Sequence, residues 1–145
     1  MLSLKKFLLE KGYTRVPLKV TSTNHFEIIA KINGIEGRFI LDTGASSTCV
    51  GFDSIDFFKL NPENSDIKAA GAGALGMETK IAKKNLLSIG KWKRKQVAIV
   101  LFNLTHVNAA LNEHDSEAVN GIIGADILKK SKAVIDYSKK CVYLK

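Results

Sequence analysis

The chain has 145 residues, 46% of them hydrophobic and 25% charged, which suits one globular domain and argues against long disordered segments. Its formal net charge is +8, but no zinc pattern, recognition helix or RNA-binding aromatic motif accompanies the lysines. We therefore interpret them as a solvated surface. Two cysteines far apart in sequence, Cys49 and Cys141, fit neither a disulfide framework nor a metal site, and they are expected to be reduced and buried.

No stretch reaches the length of a transmembrane helix, and the apolar segment at 7–9 is too short for a signal peptide. A cytoplasmic location is therefore expected. At the start of the chain, Leu4 and Leu8 lie at helical spacing and Gly12 follows, which predicts one short helix. We interpret residues 1–15 as a helical extension and residues 16–145 as the domain.

The next segment has the pattern of strands. Two apolar runs, HFEIIAKI and IEGRFILD, flank Asn33-Gly34, a pair in which both residues tolerate positive φ. This pair predicts a β-hairpin whose second arm ends at Asp42. The run TCV then predicts a short strand, and residues 52–60 predict a short helix.

The second half begins with a glycine-rich stretch at 67–82, which is interpreted as a flexible hairpin because it lacks the Gly-Lys-Ser/Thr ending of a phosphate loop. Two strands follow, KNLLSIG and KQVAIVLFNL, and residues 105–118 predict a polar loop with at most one helical turn. VNGIIGADILKKS predicts a strand that leads into a short helix, and two strands close the chain. Many short strands with few helices predict a mostly-β, closed or partly closed barrel.

One acid stands out for its context. Asp42 ends an apolar strand and is followed by Thr43 and Gly44, then by small residues. Glycine permits a tight turn, and the Thr43 hydroxyl is expected to help fix the loop by hydrogen bonding. The pattern therefore predicts a carboxylate presented at the end of a buried strand.

In this context the chain resembles the retropepsin-like aspartic proteases, the single-lobe relatives of pepsin. FILDTGASSTCV is similar to the catalytic loop of that family, AAGAGALG at 69–76 to its flap, and NGIIGADIL at 120–128 to its apolar-apolar-Gly element and helix. AVIDYSKKCVYL is similar to its terminal strands. The resemblance implies a mostly-β, single-lobe closed barrel with a flap hairpin and one to three short helices. Retroviral members carry Arg where this chain has Ala125, so it looks closer to cellular and bacterial members.

The resemblance also implies roles for individual residues. Asp42 would be the catalytic aspartate, supported by the loop residues Thr43, Gly44 and Ala45. Ile122, Ile123 and Gly124 would form the structural strand behind the site. The flap that contacts substrate would consist of Ala70, Gly71, Ala72, Gly73 and Ala74.

Hydrolysis by this route needs two carboxyl groups about 3 Å apart, which share one proton because both cannot ionise easily. No other aspartate of the chain is followed by Thr-Gly or Ser-Gly, and 145 residues leave no room for a second lobe. The second acid is therefore expected from another copy, in a homodimer formed through the catalytic loop, with the termini as a further candidate contact.

The sequence thus predicts an aspartic endopeptidase that acts on a peptide or protein substrate, with no cofactor, metal, nucleic acid or membrane partner. An alternative is a catalytically silent pepsin-like module that binds a peptide or protein. A weaker one is a basic barrel that binds nucleic acid. His25, His106 and His114 lack metal-ligand spacing and are interpreted as surface or core residues, and Ser46 and Ser47 lack the context of a nucleophile elbow.

Overall fold

The computed structural model describes residues 2–65, 78–113 and 117–145. The helices of these residues are α1 Leu4–Glu10, α2 Thr105–Glu113 and α3 Ala125–Lys130, with a 3-10 helix at Phe52–Ser54. Their strands are β1 Thr14–Pro17, β2 Lys19–Val20, β3 Phe26–Ile32, β4 Ile35–Leu41, β5 Cys49–Gly51, β6 Pro62–Asn64, β7 Lys80–Ile89, β8 Trp92–Phe102, β9 Gly121–Ile123, β10 Val134–Asp136 and β11 Cys141–Leu144. No helix of these segments has both the length and the apolar character that crossing a membrane requires.

The central sheet closes on itself. Its strands follow the order β3-β4-β9-β5-β8-β7, and β3 then pairs with β7 through Lys31 opposite Ser88 and Ile32 opposite Leu87. Closure removes most free sheet edges and encloses a core in which Phe39 and Ile99 are fully buried. The predicted mostly-β, closed single-lobe barrel with short helices is confirmed. The predicted flap, at residues 70–74, lies outside the described residues.

The hairpin that carries Asp42 forms as predicted. Asn33 and Gly34 have φ values of 54° and 84°, and β3 and β4 pair from Ile32 opposite Ile35 to Phe26 opposite Leu41. Positive φ at both turn residues matches the twist of the two strands. The turn therefore sets the register that places Asp42 at the far end of β4.

The terminal segments form a small second sheet in the order β1-β11-β10. Helix α1 packs beside it through Leu8, which belongs to a buried cluster with Cys141 and Tyr143. The helix was predicted. The division of the chain at residue 15 stays a prediction, and this position falls within β1.

Two expectations about local structure need correction. Residues 105–113, expected as polar loop with at most one helical turn, form the nine-residue helix α2. Leu111 is buried in it and Val107, one turn earlier, packs on the same cluster, so two apolar side chains suffice to hold the helix. Residues 52–60, expected as a short helix, contain only a 3-10 helix followed by turns, in which Phe58 is buried.

Candidate active site

Asp42 leaves the barrel where two parallel strands run side by side. Ile40 and Leu41 of β4 lie opposite Ile122 and Ile123 of β9, and the Asp42 N–H donates to the Ile123 carbonyl at 3.0 Å. The four apolar side chains are buried, whereas Asp42 itself is half-buried. The two strands thus fix the backbone of Asp42, while its carboxylate faces solvent.

The loop after Asp42 turns back on the carboxylate. The Gly44 N–H donates to Asp42 Oδ1 at 2.8 Å, and the Ala45 N–H donates to the Asp42 carbonyl at 3.2 Å. A Cβ on Gly44 would lie 3.2 Å from Asp42 Oδ1, so the turn suits a residue without a side chain. Thr43 is exposed, and no hydrogen bond of its side chain lies within the described part of the chain. Its proposed supporting role stays a prediction.

A second set of bonds, which sequence reasoning missed, ties this loop to the start of α3. The backbone N–H and the hydroxyl of Thr48 both donate to Asp126 Oδ1, at 2.9 and 2.8 Å. The Gly124 N–H donates to Thr48 Oγ1 at 3.0 Å, and the Ala125 N–H donates to the Ala45 carbonyl at 2.7 Å. Asp126 Oδ1 also accepts from the Ile127 N–H at the start of the helix, so this carboxylate links the helix to a residue 78 positions away.

Close backbone contact explains the glycines of this region. A Cβ on Gly124 would lie 2.7 Å from the Ala45 carbonyl oxygen, and one on Gly121 would lie 2.1 Å from that of Cys49. Real Cβ atoms do not approach so closely. The sequence around Ile122 and Ile123 therefore allows β9 and the start of α3 to press against the loop that carries Asp42.

A recess of about 220 Å³ opens beside Asp42. Its walls come from the barrel, at Ile40 and Ile122, and from α2, at Val107, Ala110 and Leu111. Thr23, His25 and His106 complete the lining, and Asp42 is the only carboxylate among its described residues. The recess is mainly apolar, so it suits an apolar group placed next to the acid.

Two of the three histidines therefore border the candidate site, although they were interpreted only as surface or core residues. His25 Nδ1 lies 2.7 Å from Thr23 Oγ1, and the His25 N–H donates to Thr21 Oγ1 at 3.1 Å. His106 comes from α2, which the sequence did not predict as a helix. No signal in the sequence brings these residues together, because they lie 81 positions apart and on different elements.

Helix α2 is held in its first half to the residues that follow it. Asn108 accepts from the Val119 N–H at 2.8 Å and donates to the Val119 carbonyl at 3.2 Å. Arg38 forms ion pairs with Glu27 and with Glu117, the latter in the segment that follows α2. The helix is therefore a fixed wall of the recess.

Among the described residues, the site has neither a cation paired with Asp42 nor a nucleophilic thiol. Both ion pairs of the described residues involve Arg38, so no cation neutralises the Asp42 carboxylate within them. Burial raises the pKa of the Cys49 thiol to about 12, with the charges of Asp126 and Asp42 acting in the same direction, so this cysteine stays protonated. The described residues include no group of three or more His, Cys, Asp or Glu that could hold a metal ion.

Fold and site together define an acid protease lobe with one presented aspartate. A family model described as Aspartyl protease matches residues 28–127, which is more than half of the chain. The chain belongs to the aspartyl protease family, and the predicted resemblance to its retropepsin-like members is confirmed. A comparison with curated proteins found no match.

Solved structures share the fold at low sequence identity. A retropepsin-like aspartic protease from Rickettsia conorii is 18% identical with a TM-score of 0.60, over 92% of this chain and 89% of that one. The retroviral protease-like domain of Ddi1 from Leishmania major is 16% identical with a TM-score of 0.55, over 88% of this chain and 90% of that one. EIAV protease complexed with the inhibitor HBY-793 is 18% identical with a TM-score of 0.55, over 76% of this chain and 90% of that one.

Proposed function

We propose that the protein is an aspartic endopeptidase in which Asp42 from each of two copies forms the catalytic pair. The observation that carries the proposal is the carboxylate of Asp42, which is half-buried at the end of the β4–β9 pair and held by the Gly44 N–H rather than by a cation. An acid held in this way is free to exchange a proton with a second acid. Its place in an aspartyl protease lobe supports the same reading.

The chemistry requires the second copy. In a pair of carboxyl groups that share one proton, the ionised group removes a proton from water while the protonated group donates one to the scissile carbonyl oxygen. The water oxygen bonds to the carbonyl carbon to give a diol. The C–N bond then breaks as one carboxyl group gives its proton to the amine nitrogen and the other carboxylate takes one from a diol hydroxyl. Because the described lining of the recess contains Asp42 as its only carboxylate, the partner acid would come from a two-fold related chain.

The remaining assignments follow from this arrangement. Thr43, Gly44 and Ala45 would shape the loop that meets its counterpart across the axis, and the exposed Thr43 is available for such a contact. Ile122, Ile123 and Gly124 would brace the acid from behind. Ala70, Gly71, Ala72, Gly73 and Ala74 would close over the substrate as a flap that excludes water.

The recess beside Asp42 would receive a substrate side chain next to the cleaved bond. Its apolar walls favour an apolar side chain, and α2 supplies Val107 and Ala110 to one wall. The substrate would then be a peptide or protein segment that crosses the two-fold axis.

The proposal is tested by incubating the protein with a diverse peptide mixture from acidic to neutral pH and identifying new termini by mass spectrometry. Asp42→Asn is the control, because its side-chain oxygen still accepts from the Gly44 N–H and the fold should persist. We expect cleavage by the wild type and a loss of at least about a thousandfold in the variant. Cleavage that survives in Asp42→Asn would overturn the proposal, and peptide binding without cleavage by the wild type would favour the silent binding module instead.

A further inference from the structure

A second concave site lies at the other end of the β3–β4 hairpin from Asp42. It is a basin of about 710 Å³ between the Asn33-Gly34 turn, the segment at 59–63 and β7, and we call it the basic basin. Among the described residues, its lining includes Lys59, Lys83 and Lys84 and one carboxylate, that of Glu63. The β4 strand, seven residues long, places the basin about 20 Å from Asp42.

No carboxylate among the described residues forms an ion pair with the three lysines of the basic basin. Both ion pairs of the described residues belong to Arg38, so Glu63 neutralises none of the lysines although it shares the lining. Positive charges gathered in a concavity add their potentials and raise the local concentration of an anion. The basin therefore has positive charge that can attract an anionic ligand.

The backbone under the lysines is fixed. Asn33 Nδ2 donates to the Phe58 carbonyl at 3.0 Å and to Asn85 Oδ1 at 3.1 Å, and the Asn85 side chain donates in turn to the Ala82 and Val97 carbonyls. Asn85 is buried, and the ladder of β7 with β8 shifts register on either side of it. A bulge of this kind re-aims the side chains beside it, which here are Lys83 and Lys84.

We propose that the basic basin binds an acidic polypeptide segment through its glutamate or aspartate carboxylates. Ammonium groups are compact point charges with three donors each, so they suit carboxylates that arrive at varied angles. Nucleic acid is disfavoured, because the described lining has no aromatic side chain for base stacking and includes the Glu63 carboxylate. The bound segment would be part of the substrate, an inference that rests on the proposed function. Its binding would add to the affinity of the protein for that substrate through contacts outside the cleaved sequence.

The test uses the full chain with Asp42→Asn, so that cleavage plays no part. Fluorescence anisotropy at low ionic strength measures the binding of a labelled peptide that contains a run of glutamates, with a glutamine peptide of the same length as its control. Lys59→Gln, Lys83→Gln and Lys84→Gln together should weaken binding of the acidic peptide about tenfold, because each exposed ion pair contributes about two- to fivefold. Lys129→Gln, Lys130→Gln and Lys139→Gln remove the same charge elsewhere and should change it less than about twofold.

Equal loss in both triple variants would overturn the proposal, since it would show an attraction to net charge alone. So would unchanged binding in the basin variant, or an oligonucleotide that binds more tightly than the acidic peptide through the same three lysines. The outcome is separable from the proposed function. Cleavage by the wild type without binding of the acidic peptide would refute only the proposed role of the basic basin. Binding of the acidic peptide without any cleavage would refute only the proposed protease activity.

Discussion

The hydroxyl of Thr48 donates to Asp126 Oδ1 at 2.8 Å and accepts from the Gly124 N–H at 3.0 Å. Thr48 lies in the loop after Asp42 and is fully buried, whereas Asp126 lies in the first turn of α3. One side chain therefore connects the two segments that meet behind the candidate catalytic acid. Hydrogen bonds to a charged group in a buried setting contribute more than neutral ones.

Thr48→Val should lower both stability and activity. Valine keeps the shape of threonine but leaves the Gly124 N–H unpaired, so we expect a loss of about 2–3 kcal/mol in the free energy of unfolding. Urea denaturation followed by circular dichroism measures it. Thr48→Ser keeps the hydroxyl and should lose only about 1 kcal/mol. Equal losses in the two variants would contradict the role assigned to the hydroxyl.

Gly121→Ala should destabilise the barrel where β9 meets β5. The added Cβ would lie 2.1 Å from the Cys49 carbonyl oxygen, so one strand must move. We expect a loss of at least about 2 kcal/mol, read from the midpoint of chemical denaturation. Gly34→Asn is a control for backbone strain without a steric contact, because its Cβ position has no neighbour within 4 Å. Asparagine is among the residues that best accept a positive φ such as the 84° here, so we expect a loss of about 1 kcal/mol or less. A Gly121 variant as stable as this control would refute the packing account.

Cys49 should resist thiol reagents in the native protein. Burial raises the pKa of its thiol from an ordinary value of 9.0 to about 12, so almost no thiolate is present at pH 8.5. Cys141 is also buried, and a chromogenic disulfide should therefore detect no fast thiol before denaturation and two afterwards. A native thiol that reacts within seconds would contradict this.

The same shift in the pKa of Cys49 has a consequence for stability. The folded pKa lies above the unfolded one, so the folded state binds more protons between about pH 9 and pH 12. The contribution of Cys49 protonation to the free energy of unfolding is therefore fully present below pH 9 and is lost as the pH rises through that window. Cys49→Ala should reduce the alkaline loss of stability relative to the wild type when thermal midpoints are compared from pH 8 to pH 11.

Ala110→Leu should narrow the recess beside Asp42. Ala110 is exposed and lines the recess, so a larger side chain there should raise KM about tenfold for peptides with a large side chain at the cleaved bond. Ala109→Leu introduces the same group on the same helix at an exposed position outside the lining, and it should change KM less than about twofold. Equal effects of both variants on KM would show that Ala110 of α2 does not contact the substrate.

Local signals in the sequence predicted much of this fold. Asn33-Gly34 determined a hairpin because the backbone demands of a tight turn act within two residues. The strand before Asp42 and the strand-to-helix pattern after Asn120 were likewise readable from apolar runs. These features depend on neighbours along the chain, which a sequence displays directly.

The features that sequence reasoning missed depend on distant contacts. Thr48 and Asp126 are 78 residues apart, and neither carries a local sign of the other. Helix α2 has few apolar residues, and the contacts of Val107 and Leu111 form only where the barrel wall is present to receive them. His106 reaches the recess beside Asp42 only because that helix exists, whereas His25 reaches it from the segment between β2 and β3.

We expect two copies of Asp42 to form one catalytic site, and a subunit-mixing experiment decides whether they do. Wild-type protein and Asp42→Asn are combined at constant total concentration, allowed to exchange subunits, and assayed for peptide cleavage. If each site needs both aspartates, activity follows the square of the wild-type fraction, so an equal mixture retains about a quarter of it. Activity proportional to the wild-type fraction, about half in the equal mixture, would show that each chain acts alone and would contradict the account.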